Sequence, residues 1–224
     1  MTSMNIDTII FDNDGVLVDT MSFYLDLCTR YLTSLGVTPE PGLDAKCLTM
    51  SMLESSGYMQ KRYNLPYTHE EVLGHLRDMA YAFYKEKAPL KPGVAETLEE
   101  LNRRGYRCMV ATAGERLPAE CAYKRLGIDK FLCAIHTCTE YRHSKSETEF
   151  YRLLLENVRR SPQQCLIVED SPHAITTAMK AGLPVYAVFD PCSAAYWEET
   201  KARVWHASEE LDGILQHLPD LTGK

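Results

Sequence analysis

The sequence predicts an α/β protein with a doubly wound parallel sheet and an inserted all-helical cap domain. From residue 93 onward, short apolar runs typical of buried strands alternate with helical patterns, which favours a parallel sheet covered on both faces. Between the first apolar run, Thr8–Phe11, and residue 93, the apolar spacing is helical and indicates no strand. We therefore expect a core domain of residues 1–19 and 93–224 and a helical cap domain of residues 20–92.

The predicted cap contains three helical segments. Residues 21–35 carry apolar residues at helical spacing and are followed by Gly36, which suits a helix C-terminal cap. A proline-containing turn follows, and a second helix is expected from about residue 44 to residue 63. Thr68 and Glu71 have the spacing of a capping box, which predicts that a third helix starts at residue 69 and runs to residue 87.

The core domain is predicted to alternate strands and helices. Ser146 and Glu149 have the spacing of a second capping box, and Ser171 and Pro172 suit the first positions of the helix that ends at Gly182. Two further helices are expected over 94–104 and, after residue 112, up to residue 126. The predicted strands are 8–11, 107–112, 131–137, 165–168, 185–189 and 204–206.

Composition and charge exclude several classes of function. The net charge is −7 and no block of Lys or Arg occurs, so we expect neither a nucleic-acid nor a membrane partner. The eight cysteines have no spacing typical of zinc sites, the N-terminal residues do not resemble a secretory signal, and no apolar run is long enough to span a bilayer. We expect a reduced, cytoplasmic protein, a monomer, with a small-molecule partner.

The segment FDNDGVLVDT, residues 11–20, points most directly to chemistry. Asp12 and Asp14 follow a buried strand, and burying two carboxylates without a partner is costly. A simple turn is one interpretation; an EF-hand is excluded because Phe23 stands where its bidentate Glu belongs. A divalent cation would compensate both carboxylates, and Gly15 would allow a tight turn beside it. With Mg²⁺ bound, one carboxylate would attack a phosphoryl group and the other would transfer a proton.

Further polar residues follow the other predicted strands. Thr112 ends the second strand, Lys145 lies in the loop after the third, and Glu169 and Asp170 end the fourth. Each of these residues alone is ambiguous, but ligands of open parallel sheets bind at the carboxyl ends of the strands. Lys145 also precedes the predicted helix start at Ser146, where free N–H groups and the helix dipole favour an anion. The sequence therefore predicts a site for phosphate and a metal ion at this edge.

These segments resemble the four motifs of the haloacid dehalogenase superfamily of phosphotransferases, which have a Rossmann-like core. The motifs occur in order as Asp12–Thr20, Val110–Thr112, Lys145 and Ile167–Ser171. The insert is similar to the helical, C1-type cap of the phosphoglycolate phosphatase and β-phosphoglucomutase-like branch. The resemblance implies a Mg²⁺-dependent phosphatase that hydrolyses a small soluble phosphate monoester, either a sugar phosphate or a phosphorylated organic acid, through an aspartyl-phosphate intermediate.

The resemblance also implies what the individual residues do. Asp12 would be the nucleophile, and Asp14 would protonate the leaving oxygen and then activate water. Asp14 would contribute its carbonyl oxygen to the metal, and Glu169 would bind the metal directly or orient another ligand. The implied phosphate-binding residues are Thr112, Ala113 and Lys145, the implied metal-binding residues are Asp12, Asp14, Glu169 and Asp170, and candidate substrate-facing positions of the cap are Thr20, Met50, Ser51 and Glu54.

Two alternatives stay open. A β-phosphoglucomutase-like mutase commonly has a His four residues after the Asp-Thr pair and a basic residue in the cap loop. Here Tyr24 occupies the first position, and residues 49–53 contain neither Lys nor Arg, which favours a phosphatase. A catalytically silent interaction module of the same fold would lack a catalytic group, whereas the sequence contains all of them.

Overall fold

The computed structural model describes residues 5–47 and 50–223, and the chain divides into two compact units. The core unit comprises residues 1–19 and 89–224, and the insert unit comprises residues 20–88. The second junction thus lies four residues before the predicted boundary at 93. The reason is that the chain returning at Pro89 pairs at once with the chain leaving the core: the Asp19 N–H donates to the Pro89 carbonyl at 2.9 Å, and Val18 forms an antiparallel bridge with Leu90.

The core unit contains a six-stranded, fully parallel sheet, so the predicted doubly wound α/β fold is confirmed. The strand order is β3-β2-β1-β4-β5-β6, which places β1 between β2 and β4 at the point where the winding reverses. Phe11 at the end of β1 is in register with Val110 on β2 and Val168 on β4. The strands are β1 Thr8–Phe11, β2 Arg107–Thr112, β3 Ala134–Thr137, β4 Cys165–Glu169, β5 Val185–Val188 and β6 His206–Ser208.

Helices connect the strands and form most of the insert unit. The α-helices of the described residues are α1 Met21–Tyr24, α2 Leu27–Ser34, α3 Leu43–Cys47, α4 Met52–Arg62, α5 His69–Glu86, α6 Val94–Arg103, α7 Arg116–Leu126, α8 Cys138–Tyr141, α9 Thr148–Val158, α10 Pro172–Lys180 and α11 Trp197–Arg203. In residues 5–47 and 50–223, no helix is long and apolar enough to cross a membrane.

Several predicted bounds in the core unit are corrected by local hydrogen bonding. The predicted strand 131–137 starts only at Ala134, because residues 129–131 form a 3₁₀ turn. The predicted strand 204–206 is shifted to 206–208, because Val204 still ends the unpredicted helix α11 through its N–H bond to the Thr200 carbonyl. Strand β4 continues one residue further than predicted, through Glu169, and β5 ends one residue earlier.

The insert unit is all-helical and has its own apolar core. Leu32, Met59 and Leu76, from three different helices, are fully buried in it. The predicted helix 21–35 is divided into α1 and α2, and the predicted helix 44–63 into α3 and α4. The Thr68–Glu71 capping box forms as predicted and begins α5.

Candidate active site

The site lies at the carboxyl ends of the central strands. Asp12 follows β1 directly, and its N–H donates to the Val168 carbonyl at 2.8 Å, which extends the β1–β4 ladder by one residue. This bond brings Asp12 beside the two acidic residues at the end of β4. One carboxylate oxygen from each of Asp12, Glu169 and Asp170 lies within 4.8 Å of the others.

Lys145 reaches into this acidic cluster from the loop between α8 and α9, which follow β3. Its Nζ lies 2.5 Å from Asp12 Oδ1 and 2.8 Å from Glu169 Oε2. Burial alone would lower the pKa of the lysine, but the negative charges of Asp12 and Glu169 hold this pKa well above its usual value. Lys145 therefore stays protonated and carries one positive charge against three carboxylates.

The three carboxylates are not fully compensated by this single ammonium group. Burial, followed by the charge of Glu169, raises the pKa of Asp12 from 3.8 to about 7, although Lys145 lowers it. Burial and the charges of Glu169 and Asp12 likewise raise the pKa of Asp170 well above its usual range. A group of closely spaced hard oxygen atoms with excess negative charge suits a divalent cation such as Mg²⁺. The donor set therefore fits the predicted metal.

Glu169 is the most firmly fixed of the acidic residues. It is 1% exposed. Its Oε2 accepts the bond from Lys145, and its Oε1 accepts from the N–H groups of Asp170 at 3.2 Å and Ser171 at 3.1 Å. Because both oxygens already have donors, this side chain is held in one orientation between β4 and Lys145.

A tight turn presents Asp14 next to the cluster. The Asn13 carbonyl accepts from the N–H of Val18 at 2.9 Å, and the Gly15 N–H donates to the Val18 carbonyl at 3.0 Å. Gly15 has a φ of +83°, and a Cβ at this position would lie only 2.6 Å from Asp170 Oδ2. The turn therefore requires glycine twice, for its backbone conformation and for the approach of Asp170.

Thr112 lies on the other side of the turn, at the end of β2. It is 1% exposed, and its Oγ1 accepts from the Gly114 N–H at 2.9 Å. A Cβ on Gly114 would lie 3.7 Å from Asp14 Oδ2, so the loop after β2 runs beside that carboxylate. Ala113, between the two, is exposed. The predicted site residues of all four loops thus meet at one edge of the sheet.

One local prediction about Lys145 is wrong. Helix α9 begins at Thr148 with Glu147 as its N-cap, so Ser146 and Glu149 form no capping box. Glu147 Oε1 instead accepts from the Ser144 N–H at 2.9 Å, which delays the helix start. Lys145 therefore lies in a loop and does not directly precede the helix.

The candidate cap positions have structural contacts of their own. Thr20 is fully buried, and its carbonyl accepts from the Phe23 N–H at the start of α1. Ser51 and Glu54 form a capping box at the start of α4, and the Met50 N–H donates to the Cys47 carbonyl. The loop of residues 49–53, where a mutase would have its basic residue, lies partly outside the described residues, which do not include residues 48 and 49. Substrate contact by the four candidates stays a prediction.

One residue that supports the site was missed at the sequence level. Tyr123 on α7 is buried, and its hydroxyl donates to Asn13 Oδ1 at 2.6 Å. Asn13 is itself only 1% exposed, so this bond satisfies a buried amide at the centre of the Asp14 turn. Tyr123 lies 110 residues away in sequence, and the helical pattern around it indicates burial but no partner.

Comparisons with known proteins agree with this geometry. The family model described as haloacid dehalogenase-like hydrolase matches residues 9–188. A phosphorylated carbohydrates phosphatase from Thermotoga maritima is 24% identical over 81% of this chain and 85% of that protein. A pyrophosphatase PpaX from Bacillus mycoides is 26% identical over 97% of this chain and 96% of that protein. The crystal structure of CbbY from Rhodobacter sphaeroides in complex with phosphate superposes with a TM-score of 0.78 at 20% identity, covering 93% of this chain and 96% of that one.

Proposed function

Because the chain belongs to the haloacid dehalogenase-like hydrolase family, we propose that it is a Mg²⁺-dependent phosphatase acting through an aspartyl-phosphate. Its substrate would be a small soluble phosphate monoester, such as a sugar phosphate or a phosphorylated organic acid. The observation that carries the proposal is the contact of Lys145 with Asp12 inside a cluster of three carboxylates. A buried carboxylate can attack an anionic phosphoryl group only where positive charge is concentrated around both.

The metal would be held by the carboxylates of Asp12 and Asp170 and the carbonyl oxygen of Asp14. When bound, Mg²⁺ supplies positive charge that the nucleophile and the phosphoryl oxygens share. Glu169 is proposed to orient its neighbours, because its two oxygens already accept hydrogen bonds from Lys145 and from the main chain. Lys145 lowers the pKa of Asp12 against the opposing effects of burial and Glu169, and so favours the ionised form of the proposed nucleophile.

The first half of the reaction forms a bond between an Asp12 carboxylate oxygen and phosphorus. The bond from phosphorus to the leaving oxygen breaks, and Asp14 donates a proton to that oxygen. In the second half Asp14 takes a proton from water, the water oxygen bonds to phosphorus, and the Asp12 carboxylate is released with inorganic phosphate as the product. Asp14 is proposed for both steps because its carboxylate lies beside the loop after β2, which is proposed to bind the phosphoryl group.

The phosphoryl oxygens would be bound by Lys145, by the hydroxyl of Thr112 and by the Ala113 main chain. Because Thr112 Oγ1 accepts a hydrogen bond from Gly114, its own proton is available for a phosphoryl oxygen. The insert unit is proposed as the cap that excludes water and selects the substrate, with Thr20, Met50, Ser51 and Glu54 as candidate contacts. We further propose a cytoplasmic monomer.

Pyrophosphate is a second candidate substrate. The pyrophosphatase relative aligns with 97% of this chain, including the insert, whereas the carbohydrate phosphatase relative aligns with 81%. A β-phosphoglucomutase-like activity remains the third candidate, with Tyr24 in place of the expected His as the observation against it. A silent interaction module is disfavoured because Asp12, Asp14 and Lys145 are all present at the site.

Phosphate release from a panel of sugar phosphates, organic-acid phosphates and pyrophosphate tests the proposal. We expect hydrolysis that stops in EDTA, resumes with added Mg²⁺, and is abolished by Asp12→Asn. Asp78→Asn, which changes an exposed aspartate of α5 in the same way, is the matched control and should retain activity. Hydrolysis that survives in Asp12→Asn or in EDTA would contradict the proposal.

A further inference from the structure

A second buried ion pair lies at the edge of the sheet that carries the site. Lys91 Nζ lies 2.9 Å from Asp190 Oδ2 and 3.2 Å from the Phe189 carbonyl oxygen. The side chain of Asp190 is 1% exposed and that of Lys91 is 13% exposed. The other oxygen of Asp190 accepts from the Cys192 N–H at 2.9 Å. Each carboxylate oxygen of Asp190 therefore accepts a hydrogen bond, and the charge of Asp190 is compensated by Lys91.

Asp190 follows the strand adjacent to the one that ends in the acidic cluster. It lies two residues beyond β5, and Ala187 on β5 is in register with Glu169 on β4. The side chains after both strands thus emerge at the same edge.

Lys91 is also held by the turn that carries Asp14. Its N–H donates to the Leu17 carbonyl at 3.0 Å, and the neighbouring Leu90 bridges to Val18. Val18 in turn accepts from Gly15, which packs against Asp170. The main chain of Lys91 is thus hydrogen-bonded to the turn that carries Asp14, while its side chain is bonded to residues that follow β5.

We propose that Lys91 and Asp190 form a charge-compensating pair that sets the affinity of the acidic cluster for its divalent cation. Asp190 adds negative potential at the edge that carries Asp170, and Lys91 cancels it, so that the cluster binds Mg²⁺ without holding it too tightly. Stability alone does not account for the pair, since a buried ion pair is seldom better than apolar packing. This inference rests on the phosphatase function proposed above.

The two partners make opposite predictions. Lys91→Gln removes a positive charge and Asp190→Asn removes a negative charge, and each variant has a side-chain amide that is able to form hydrogen bonds. Lys91→Gln leaves the Asp190 anion uncompensated and should tighten Mg²⁺ binding by about threefold or more, whereas Asp190→Asn leaves the Lys91 cation and should weaken it by a similar factor. The double variant should return to within about twofold of wild type.

Isothermal titration of the metal-free full chain with Mg²⁺ at pH 8 provides the measurement, with circular dichroism to verify the fold. Loss of structure would weaken Mg²⁺ binding in both single variants, so shifts in the same direction, or no shift, overturn the inference. If Lys91→Gln does not fold, Lys91→Met and the double variant replace it, with the same expected signs relative to Asp190→Asn.

Measurements on the wild-type protein distinguish a failure of the charge-compensating pair from a failure of the proposed phosphatase function. If it neither binds Mg²⁺ nor hydrolyses any phosphate of the panel, the proposed function fails. If it does both while the two variants do not shift Mg²⁺ affinity in opposite directions, only the charge-compensating pair is refuted.

Discussion

The ammonium group of Lys145 lies 2.5 Å from the carboxylate of Asp12, and the two residues come from loops 133 positions apart in the sequence. The same ammonium is 2.8 Å from Glu169, so one cation joins the ends of β1 and β4. Removing it would take a hydrogen bond from Asp12 Oδ1 and another from Glu169 Oε2. The Lys145–Asp12 contact therefore contributes both to the stability of the folded site and to the proposed reaction of Asp12.

We expect Lys145→Met to lower kcat/KM by about 100-fold or more, because the charge that faces both the nucleophile and the phosphoryl group is lost. Mg²⁺ should also stabilise the variant more than it stabilises the wild type, relative to EDTA. The reason is that only the metal then compensates the charges of Asp12 and Glu169. Phosphate-release kinetics and thermal unfolding measure the two effects. Lys180→Met removes an exposed lysine and should change neither; a Lys145→Met enzyme within about threefold of wild type would refute the assigned function of the lysine.

Gly15→Ala should abolish activity while costing about 1–2 kcal/mol of stability. The cost arises because alanine is strained at a φ of +83°, and the loss of activity because the new Cβ would lie 2.6 Å from Asp170 Oδ2 and displace that carboxylate. Gly182→Ala is the matched control, with a φ of +82° and no atom within 4 Å of its Cβ. Both variants should lose stability because of the positive φ, but only Gly182→Ala should retain activity. Equal activity losses would contradict a steric effect at the site.

The positions of several site residues could be predicted because ligands of open parallel sheets bind at the carboxyl ends of the strands. Residues such as Asp12, Thr112 and Glu169 could be placed at one edge because parallel strands carry their carboxyl ends together. This prediction needs only the positions of the strands along the chain, and the apolar runs of the sequence indicate those positions. The same local patterns reveal the Thr68 capping box, since its two residues are three positions apart.

What the sequence could not predict depends on contacts between distant residues. The pair Lys91–Asp190 spans 99 positions, and neither residue belongs to a motif that would indicate the other. The false capping box at Ser146 shows the converse, because Glu147 offers a competing carboxylate that bonds Ser144 and delays the helix. Local patterns identify what a residue is able to do, and the tertiary fold selects among those possibilities.

Tyr123→Phe should lower both stability and activity. The change removes the hydroxyl that donates to the buried Asn13 Oδ1, which costs about 1–3 kcal/mol and loosens the turn that carries Asp14. Tyr106→Phe is the control, because it removes a hydroxyl that donates to the Pro219 carbonyl at 2.9 Å, away from the acidic cluster. Chemical denaturation and kcat measure the effects. We expect both variants to lose stability and only Tyr123→Phe to lose kcat; unchanged kcat in Tyr123→Phe would show that the bond does not position Asp14.

The pH dependence of stability provides a test of the acidic cluster that needs no substrate. The pKa of Asp12 is raised from 3.8 to about 7 in the metal-free fold, chiefly by burial and then by Glu169. Between these two values the folded state binds more protons than the unfolded state, so the contribution of Asp12 to the free energy of unfolding is present below about pH 4 and is lost as the pH rises through about 7. Asn resembles the protonated acid and cannot ionise.

We therefore expect Asp12→Asn in EDTA to unfold at a higher temperature than wild type at pH 8, by about 3 °C or more, and at nearly the same temperature at pH 4. Added Mg²⁺ should reverse the order at pH 8, because the wild type binds the cation through Asp12 and gains stability by mass action, whereas the variant lacks that carboxylate. Thermal unfolding of both proteins across pH 4–8 measures the difference directly. A difference that does not grow with pH would mean that Asp12 is not held among uncompensated carboxylates, and the requirement for a divalent cation at this edge would lose its physical basis.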